Sequence, residues 1–208
     1  MAMHLPFAKL SQWQQTAFCC ALLERMLPNY TMFSQAAEFG DPSVLRNQLD
    51  LLWQRLDSSQ KIKMNIDAQL EKLEQQTPEP QAFDFFGVFP ALDVCMALMS
   101  LLQALQSKDP QEFASVSRLS TNSVSYYIEL MLAEEFADEV GDDLDDGQED
   151  PTELIRQQVK QHPLMVWERA TQNELFDFLK QAPENKNTCK QAKAMVLEEG
   201  LSNLGIEI

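Results

Sequence analysis

A single carboxylate, Asp93, lies within a long apolar run and is the residue that most suggests chemistry in this sequence. Residues 90–105 carry only three side chains that are not apolar, namely Asp93, Ser100 and Gln103. Burying a carboxylate is costly unless it is hydrogen-bonded or paired with a cation. Asp93 is therefore expected either to accept hydrogen bonds from free N–H groups at a helix start or to pair with an arginine. The candidate arginines are Arg25, Arg46 and Arg55.

Acid–base catalysis would need a second carboxylate near Asp93, and the candidates are Glu24, Asp67 and Glu71. Nothing in their spacing selects one pair. The common enzyme motifs GxSxG, HExxH and GxGxxG are absent from the sequence. A structural role for Asp93 is therefore favoured over a catalytic one, and it predicts that Asp93→Asn lowers the melting temperature. Whether the protein is an enzyme stays open at this point.

The acidic segment near residues 138–150 contains a partial match to a calcium-binding hand. Counted from Asp142, carboxylates stand at the first, fifth, ninth and twelfth positions, and Gly147 stands at the sixth, where such a loop turns sharply. Leu144 replaces one ligand and Glu149 replaces an apolar residue, so a solvated acidic loop is the favoured interpretation. Weak calcium binding is the hypothesis. Its candidate ligands are Asp142, Asp146, Asp150 and Glu153.

The chain is strongly acidic, with a formal net charge of −16. A negative surface repels the phosphates of nucleic acids and of anionic membranes, so we expect neither as a partner. It suits a soluble protein or one that meets a basic protein partner.

The four cysteines do not form a disulfide or metal pattern. No CxxC is present, and Cys19 and Cys20 are adjacent. We expect small buried hydrophobic residues in a reducing compartment. No signal peptide is recognisable, because the apolar run 17–23 is short and lacks a basic segment before it. The sequence therefore predicts a cytoplasmic protein, and it indicates no cofactor.

The elements that position these residues are predicted to be helices. Residues 90–105 are apolar on nearly every face, begin with a proline and are too short for a bilayer, so they predict a buried central helix. The whole chain, 1–208, is predicted to be a single all-α domain, a compact bundle of about eight or nine helices around that helix. The predicted helices cover residues 10–26, 30–39, 42–57, 61–76, 90–105, 110–136, 151–161, 163 onward and 184–199.

Two helix boundaries depend on a proline and on a polar patch. The first helix is predicted to end before Pro28, because proline lacks the N–H that a helix interior needs. The stretch 110–136 is either one helix or two, since the polar patch 120–123 could break it and Ser120 could cap the second half.

Several segments resemble a known family. They read ERMLPNY at 24–30, FGD at 39–41, DAQLEK at 67–72, FDFFGVFPALD at 83–93 and SNLGI at 202–206. With these segments the chain resembles the YjaG-like family of gammaproteobacterial proteins of unknown function. The resemblance implies an all-helical cytoplasmic protein and brings no catalytic residues.

If the segments that carry the resemblance meet in space, they would form one polar site at the start of the central helix. The residues of that hypothetical ligand site are Glu24, Arg25, Asn29, Tyr30, Asp67, Glu71, Asp84 and Asp93.

The sequence does not define the function, and two classes remain. The first is a cytoplasmic, non-enzymatic interaction or adaptor protein, with an unidentified protein partner or with further copies of itself in a homo-oligomer. The alternative is an enzyme, or a protein that binds a small ligand or metal through a carboxylate–arginine cluster at the start of the central helix. A ligand site needs a concave pocket, whereas a docking protein needs an exposed apolar patch.

Overall fold

The described part of the chain is all α-helical, as predicted. The computed structural model describes residues 5–57, 62–140 and 151–208, and for 136–140 and 151–153 it describes the backbone alone. Within these ranges the α-helices are α1 Gln12–Ala37, α2 Pro42–Leu56, α3 Ile66–Glu74, α4 Val88–Ser107, α5 Pro110–Val140, α6 Pro151–Gln161, α7 Pro163–Gln181 and α8 Lys186–Val196.

Helix α4 forms the centre of the bundle, as the sequence predicts. It packs against α5, α1 and α3, and its buried face includes Ala91, Val94 and Leu101. By length and composition alone, α4 is also the one helix in the described ranges that could cross a membrane, a test that buried core helices pass as well. Phe89 and Met96 lie on the other face, 37% and 45% exposed. The central helix therefore keeps one face open.

Helix α1 runs without a break through Pro28, so the predicted helix end at residue 26 is wrong. Pro28 has no N–H, which removes one hydrogen bond within the helix. The C-terminal tail adds a bond nearby, because the N–H of Asn203 donates to the carbonyl of Arg25 at 3.1 Å. Side chains on both sides of the proline, Met26 among them, are fully buried. Tertiary packing therefore outweighs the local cost of proline.

The predicted start of α2 at residue 42 is confirmed, whereas α1 begins at Gln12, two residues later than predicted. Ser11 and Gln14 form a reciprocal capping box at α1. The Asp41 carboxylate accepts from the N–H of Ser43 at the start of α2. Helix α3 begins later than predicted because its cap is Asn65, whose side chain accepts from a backbone N–H.

Helix α5 is one continuous helix, which decides the alternative left open for residues 110–136. The polar patch at 120–123 does not break it because its side chains have partners inside the bundle. Ser120 and Ser123 are buried and donate hydrogen bonds to carboxylates on neighbouring helices. The patch is polar because it faces polar groups, which a local reading of the sequence does not reveal.

The C-terminal part closes the bundle against α1. Helix α8 is capped by Asn185 and is shorter than the predicted 184–199. The tail that follows packs down, with Ser202 and Asn203 fully buried. An isolated antiparallel bridge joins Leu201 to Glu207 and holds the tail in a tight loop.

Candidate functional site

A cluster of charged groups joins α1, α2 and α8 around Glu24, and we call it the Glu24 cluster. Arg46 donates two hydrogen bonds to the Glu24 carboxylate, at 2.7 and 2.9 Å. The indole Nε1–H of Trp53 donates a third at 2.8 Å, and the ammonium of Lys193 pairs with it at 2.9 Å. Asp50 accepts from Nη2 of Arg46 at 2.6 Å, and the same nitrogen also donates to Glu24. These five residues form the cluster.

The Glu24 carboxylate is ionised by this arrangement. Burial alone would raise its pKa, but the hydrogen bonds and charges of Arg46 and Lys193 outweigh burial and lower the pKa below the usual value. The Glu24 side chain is only 4% exposed, while Arg46 and Lys193 are 32% and 41% exposed. A carboxylate saturated with donors is a poor base, so the cluster orients cations rather than transferring protons.

One groove lies beside the cluster, between α2 and α8, and we call it the lysine groove. Its volume is about 310 Å³. Its lining residues are Asp50, Trp53, Gln54, Asp57, Lys186, Cys189, Lys190 and Lys193. Burial raises the pKa of Cys189 to about 11, so its thiol stays protonated and is not a nucleophile. The groove offers three ammonium groups, two carboxylates and an indole, and it contains no activated nucleophile.

A second groove lies on the other side of the cluster, between α1 and the C-terminal tail. It has a volume of about 430 Å³ and a mainly apolar lining. Glu24, Arg46 and Glu207 are its charged lining residues, and Pro28 and Met32 lie among its apolar ones. The cluster therefore has one groove on each side.

Arg25, the next residue after Glu24, enters a sealed polar layer instead. Its guanidinium pairs with Glu168 of α7 at 2.7 Å, and both side chains have zero exposure. The guanidinium also lies 4.2 Å from the ring centroid of Trp167. Ser120 and Gln172 each donate a hydrogen bond to the other oxygen of Glu168, at 2.6 Å. Neither groove is lined by Arg25, so this layer is structural.

The tail completes the polar layer. Asn29 donates to the side-chain oxygen of Asn203 at 2.8 Å, and Asn203 donates to Ser120. Among the described residues, Nε and Nη2 of Arg25 have no hydrogen-bond partner. The layer thus contains a buried cation whose hydrogen-bonding capacity is only partly used.

Asp93 has a hydroxyl partner and not an arginine. Ser123 donates a hydrogen bond to its carboxylate, while Arg25 and Arg46 pair with Glu168 and Glu24. Helix α4 starts at Val88, two residues earlier than predicted, so Asp93 lies beyond the first turn, where N–H groups bond within the helix. Burial raises the pKa of Asp93 to about 6, and the Ser123 hydrogen bond offsets part of this effect.

The remaining predicted site residues are spread over the molecule. Tyr30 donates from its hydroxyl to the carbonyl of Gln76 at 2.7 Å. Asp67 accepts from Gln106 at 2.9 Å, and Glu71 and Asp84 are exposed. The eight predicted ligand-site residues therefore do not meet in one polar site at the start of α4. Of this set, only Glu24 lines a groove described above.

Three of the predicted metal ligands, Asp142, Asp146 and Asp150, lie outside the described residues, as does the side chain of Glu153. The calcium hypothesis therefore stays a prediction. Within the described ranges, no group of three or more His, Cys, Asp or Glu side chains is arranged to hold a metal ion.

The sequence contained a pattern that would have located the lysine groove. Lys186, Lys190 and Lys193 are spaced by four and three residues, which places them on one face of a helix. Trp53 follows Leu51 and Leu52, so a local reading treats it as apolar, although its indole N–H also needs a partner. The pairing of Glu24 with Arg46 has no such local pattern, because 22 residues separate them.

The fold and the site define a class, an all-α helical bundle with a charged cluster between two surface grooves. The chain belongs to the family described as "Protein of unknown function (DUF416)", which matches residues 3–207. The predicted family resemblance is thereby confirmed, and the function of the family is unknown.

Individual relatives match over nearly the whole chain. The protein named "Uncharacterized protein YjaG" in Escherichia coli (strain K12) is 35% identical over 205 residues, which covers 98% of this chain and 95% of that protein. A Haemophilus influenzae protein is 31% identical and covers 98% and 96% of the two chains. The crystal structure of a DUF416 family protein from Shewanella baltica OS155 aligns with a TM-score of 0.81 and 36% identity, covering 99% of this chain and all of that one.

Proposed function

We propose that this protein binds a small anionic molecule in the lysine groove. One observation carries the proposal. In a chain of net charge −16, three lysines on one face of α8 converge with Trp53 on a concave groove of about 310 Å³. This volume lies at the lower end of the range of small-molecule sites, about 300–1,000 Å³. The groove therefore suits a metabolite and not a macromolecule.

The charge balance of the groove supports an anion. Lys186 pairs with Asp57 at 2.9 Å, and Lys193 pairs with Glu24 at 2.9 Å. Lys190 also lines the groove, is exposed, and has no ion-pair partner within the ranges that the structure describes. A phosphate or carboxylate near Lys190 would gain a cation that is already close to two others.

The indole of Trp53 supports a ligand with an apolar or aromatic part. The Nε1–H of Trp53 is bound to Glu24, which fixes the plane of the ring. A flat molecule that stacks on a fixed ring avoids the entropy cost of ordering that side chain. The expected ligand class is an organic phosphate or carboxylate with a ring.

The location proposed for this activity is the cytoplasm. The four cysteines are free and buried, which supports a reducing compartment.

The proposal is tested by thermal-shift screening with nucleotides, sugar phosphates and aromatic carboxylates, each beside its uncharged analogue. An anion should raise the melting temperature, since a ligand at about 100 times its dissociation constant adds about 2.7 kcal/mol. Lys190→Gln should weaken binding of that ligand about tenfold. The ligand should also quench tryptophan fluorescence, and the quenching should be lost in Trp53→Phe, since the chain has two other tryptophans.

Lys180→Gln is the matched control. Lys180 is an exposed lysine of α7 that does not line the groove, and its substitution removes the same charge. Equal loss of affinity in both variants would mean that net charge, not the groove, attracts the anion. A screen without any anion-specific shift at millimolar concentration would contradict the proposal itself.

A second candidate function is protein interaction, the leading prediction from the sequence. The observation that favours it is a set of exposed aromatic side chains on α4 and α5, Phe89 and Tyr126 among them.

A further inference from the structure

Side chains of α4, of α5 and of the segment just before α4 form a surface that we call the aromatic face. Phe89, Met96 and Tyr126 are its exposed members, and Phe86 and Asp93 are half-buried beside them. Tyr126 is 43% exposed, and Phe89 and Met96 are exposed to a similar degree. The rings of Phe89 and Tyr126 meet edge to face at 5.2 Å between centroids. The ring of Phe86 lies 5.5 Å from that of Tyr126. Large aromatic groups left open to solvent mark interaction sites.

The helical spacing places the carboxylate of Asp93 within this surface. Phe89, Asp93 and Met96 are separated by four and three residues and share one side of α4. Ser123, which donates to Asp93, stands three residues before Tyr126 on α5. The carboxylate therefore lies beside the rings, between the two helices.

The stretches of sequence that form the aromatic face contain acidic residues and no basic ones. No lysine or arginine occurs in residues 73–107, which include all of α4, nor in residues 119–155, which include the second half of α5. Acidic side chains do occur there, with Asp84 before α4 and Glu129 one turn after Tyr126. An occupant complementary to this surface carries positive charge.

The combination of aromatic rings and a carboxylate indicates which chemical groups the occupant presents. Aromatic rings attract lysine and arginine side chains through their negative faces, and a neighbouring carboxylate adds a direct ion pair. Two copies of this chain would bring net charges of −16 together and repel each other. A second copy is therefore the weaker occupant.

We infer that the aromatic face docks a partner segment in which a lysine or arginine stands among apolar residues. The basic side chain lies against the rings of Phe89 and Tyr126 and pairs with Asp93. The apolar residues of the segment pack on Met96 and the exposed ring edges.

The inference is tested by selecting phage-displayed random 16-residue peptides against the full chain. Enriched peptides should carry a lysine or arginine next to leucine, isoleucine or phenylalanine. Synthetic versions, measured by fluorescence polarisation, should bind Tyr126→Ala and Met96→Ser at least tenfold more weakly. Replacing the basic residue of the peptide with norleucine should cause a similar loss.

Val166→Ser is the matched control, because Val166 is an apolar side chain, 53% exposed, on α7. It should leave peptide affinity unchanged. Melting temperatures of the three variants show whether each is folded. If Tyr126→Ala is unfolded, the affinity of Met96→Ser alone tests the inference.

Four results would overturn the inference. Selection could enrich no peptide, or peptides whose affinity does not depend on a basic residue. The enriched peptides could bind Tyr126→Ala and Met96→Ser as well as they bind the parent protein. Sedimentation could show a dimer that Tyr126→Ala dissociates, which would assign the face to a second copy.

Discussion

Glu24 and Arg25 are neighbours in the chain, yet they belong to two different kinds of charged region. Successive residues of a helix point about 100° apart, so one side chain reaches the surface cluster and the other reaches the interior layer. Arg25 and Glu168 have zero exposure, whereas the cations that pair with Glu24 are about one third to two fifths exposed. The sealed layer fixes how helices pack, and the open cluster has groups that a ligand could reach.

The difference follows from the cost of removing charge from water. A fully buried ion pair recovers its desolvation cost only through good geometry and additional hydrogen bonds. Glu168 has these, because Ser120 and Gln172 also donate to it. The Glu24 cluster stays in partial contact with water, so its cations keep hydration that the sealed pair has lost. Substitutions in the two regions should therefore lower the free energy of unfolding by different amounts.

The largest effect is expected in the sealed layer. Glu168→Gln keeps the shape of the side chain but leaves the Arg25 guanidinium as an unpaired buried charge, and it should destabilise the protein by about 3–5 kcal/mol. Urea unfolding at neutral pH measures the change. The double variant Arg25→Met with Glu168→Met should recover most of it, since no charge is then left unpaired. If Glu168→Gln lowered the free energy of unfolding by less than about 1 kcal/mol, the sealed layer would be no more important for stability than the Glu24 cluster.

A smaller effect is expected at the Glu24 cluster. Glu24→Gln removes the carboxylate that binds Arg46 and Lys193, but water can replace it at both cations, so the expected loss is about 1–3 kcal/mol. Asp50→Asn is the control, because Asp50 is 47% exposed and binds the same arginine; its loss should be smaller.

The acid dependence of Glu24 sharpens the same comparison. Its pKa is lowered in the folded protein, so its stabilising contribution is present above the ordinary glutamate pKa and is lost as the pH falls through the lower folded value. Glu24→Gln should therefore flatten the acid side of the stability profile. Parallel acid profiles for the parent protein and Glu24→Gln would contradict the ion pair.

The smallest loss of stability near neutral pH is expected on substitution of Asp93, whose hydrogen-bond partner is the hydroxyl of Ser123 rather than a cation. Its pKa is raised from 3.8 to about 6 in the folded protein. The folded state therefore binds the proton more tightly, and this contribution is complete below pH 3.8 and is lost as the pH rises through about 6. A shift of about two pKa units corresponds to about 3 kcal/mol, which is an upper bound because Asp93 is only partly buried.

Asp93→Asn should remove that pH dependence. Above the raised pKa, an ionised and partly buried carboxylate is less favourable than a neutral amide, so the variant should melt at the same or a higher temperature than the parent protein at pH 8. This reverses the lower melting temperature expected from the sequence. Differential scanning calorimetry at pH 4 and pH 8 measures the melting temperatures of both proteins below and above the raised pKa. A large fall in melting temperature at pH 8 would show that the charged form of Asp93 stabilises the fold.

The sequence by itself determined the features that depend on neighbouring residues. Ser11, Asp41 and Pro42 give helix starts because capping and a fixed φ act within one turn. The apolar run 90–105 determined a helix packed in the core, since most of such a surface must be removed from water, but it did not reveal that one face of this helix stays exposed. These local rules are sufficient for the fold class and for most helices.

Only the tertiary structure decided where the charges go. Arg25 pairs with a residue 143 positions away and Asn29 with one 174 positions away, and no local pattern specifies such distances. Packing also carried α1 through Pro28, because burial on both sides outweighs one lost hydrogen bond. The candidate site moved from the start of α4 to the Glu24 cluster for the same reason. The sequence nominates charged residues as candidates for a site. The partner that neutralises each of them is decided by which helix packs opposite in the fold.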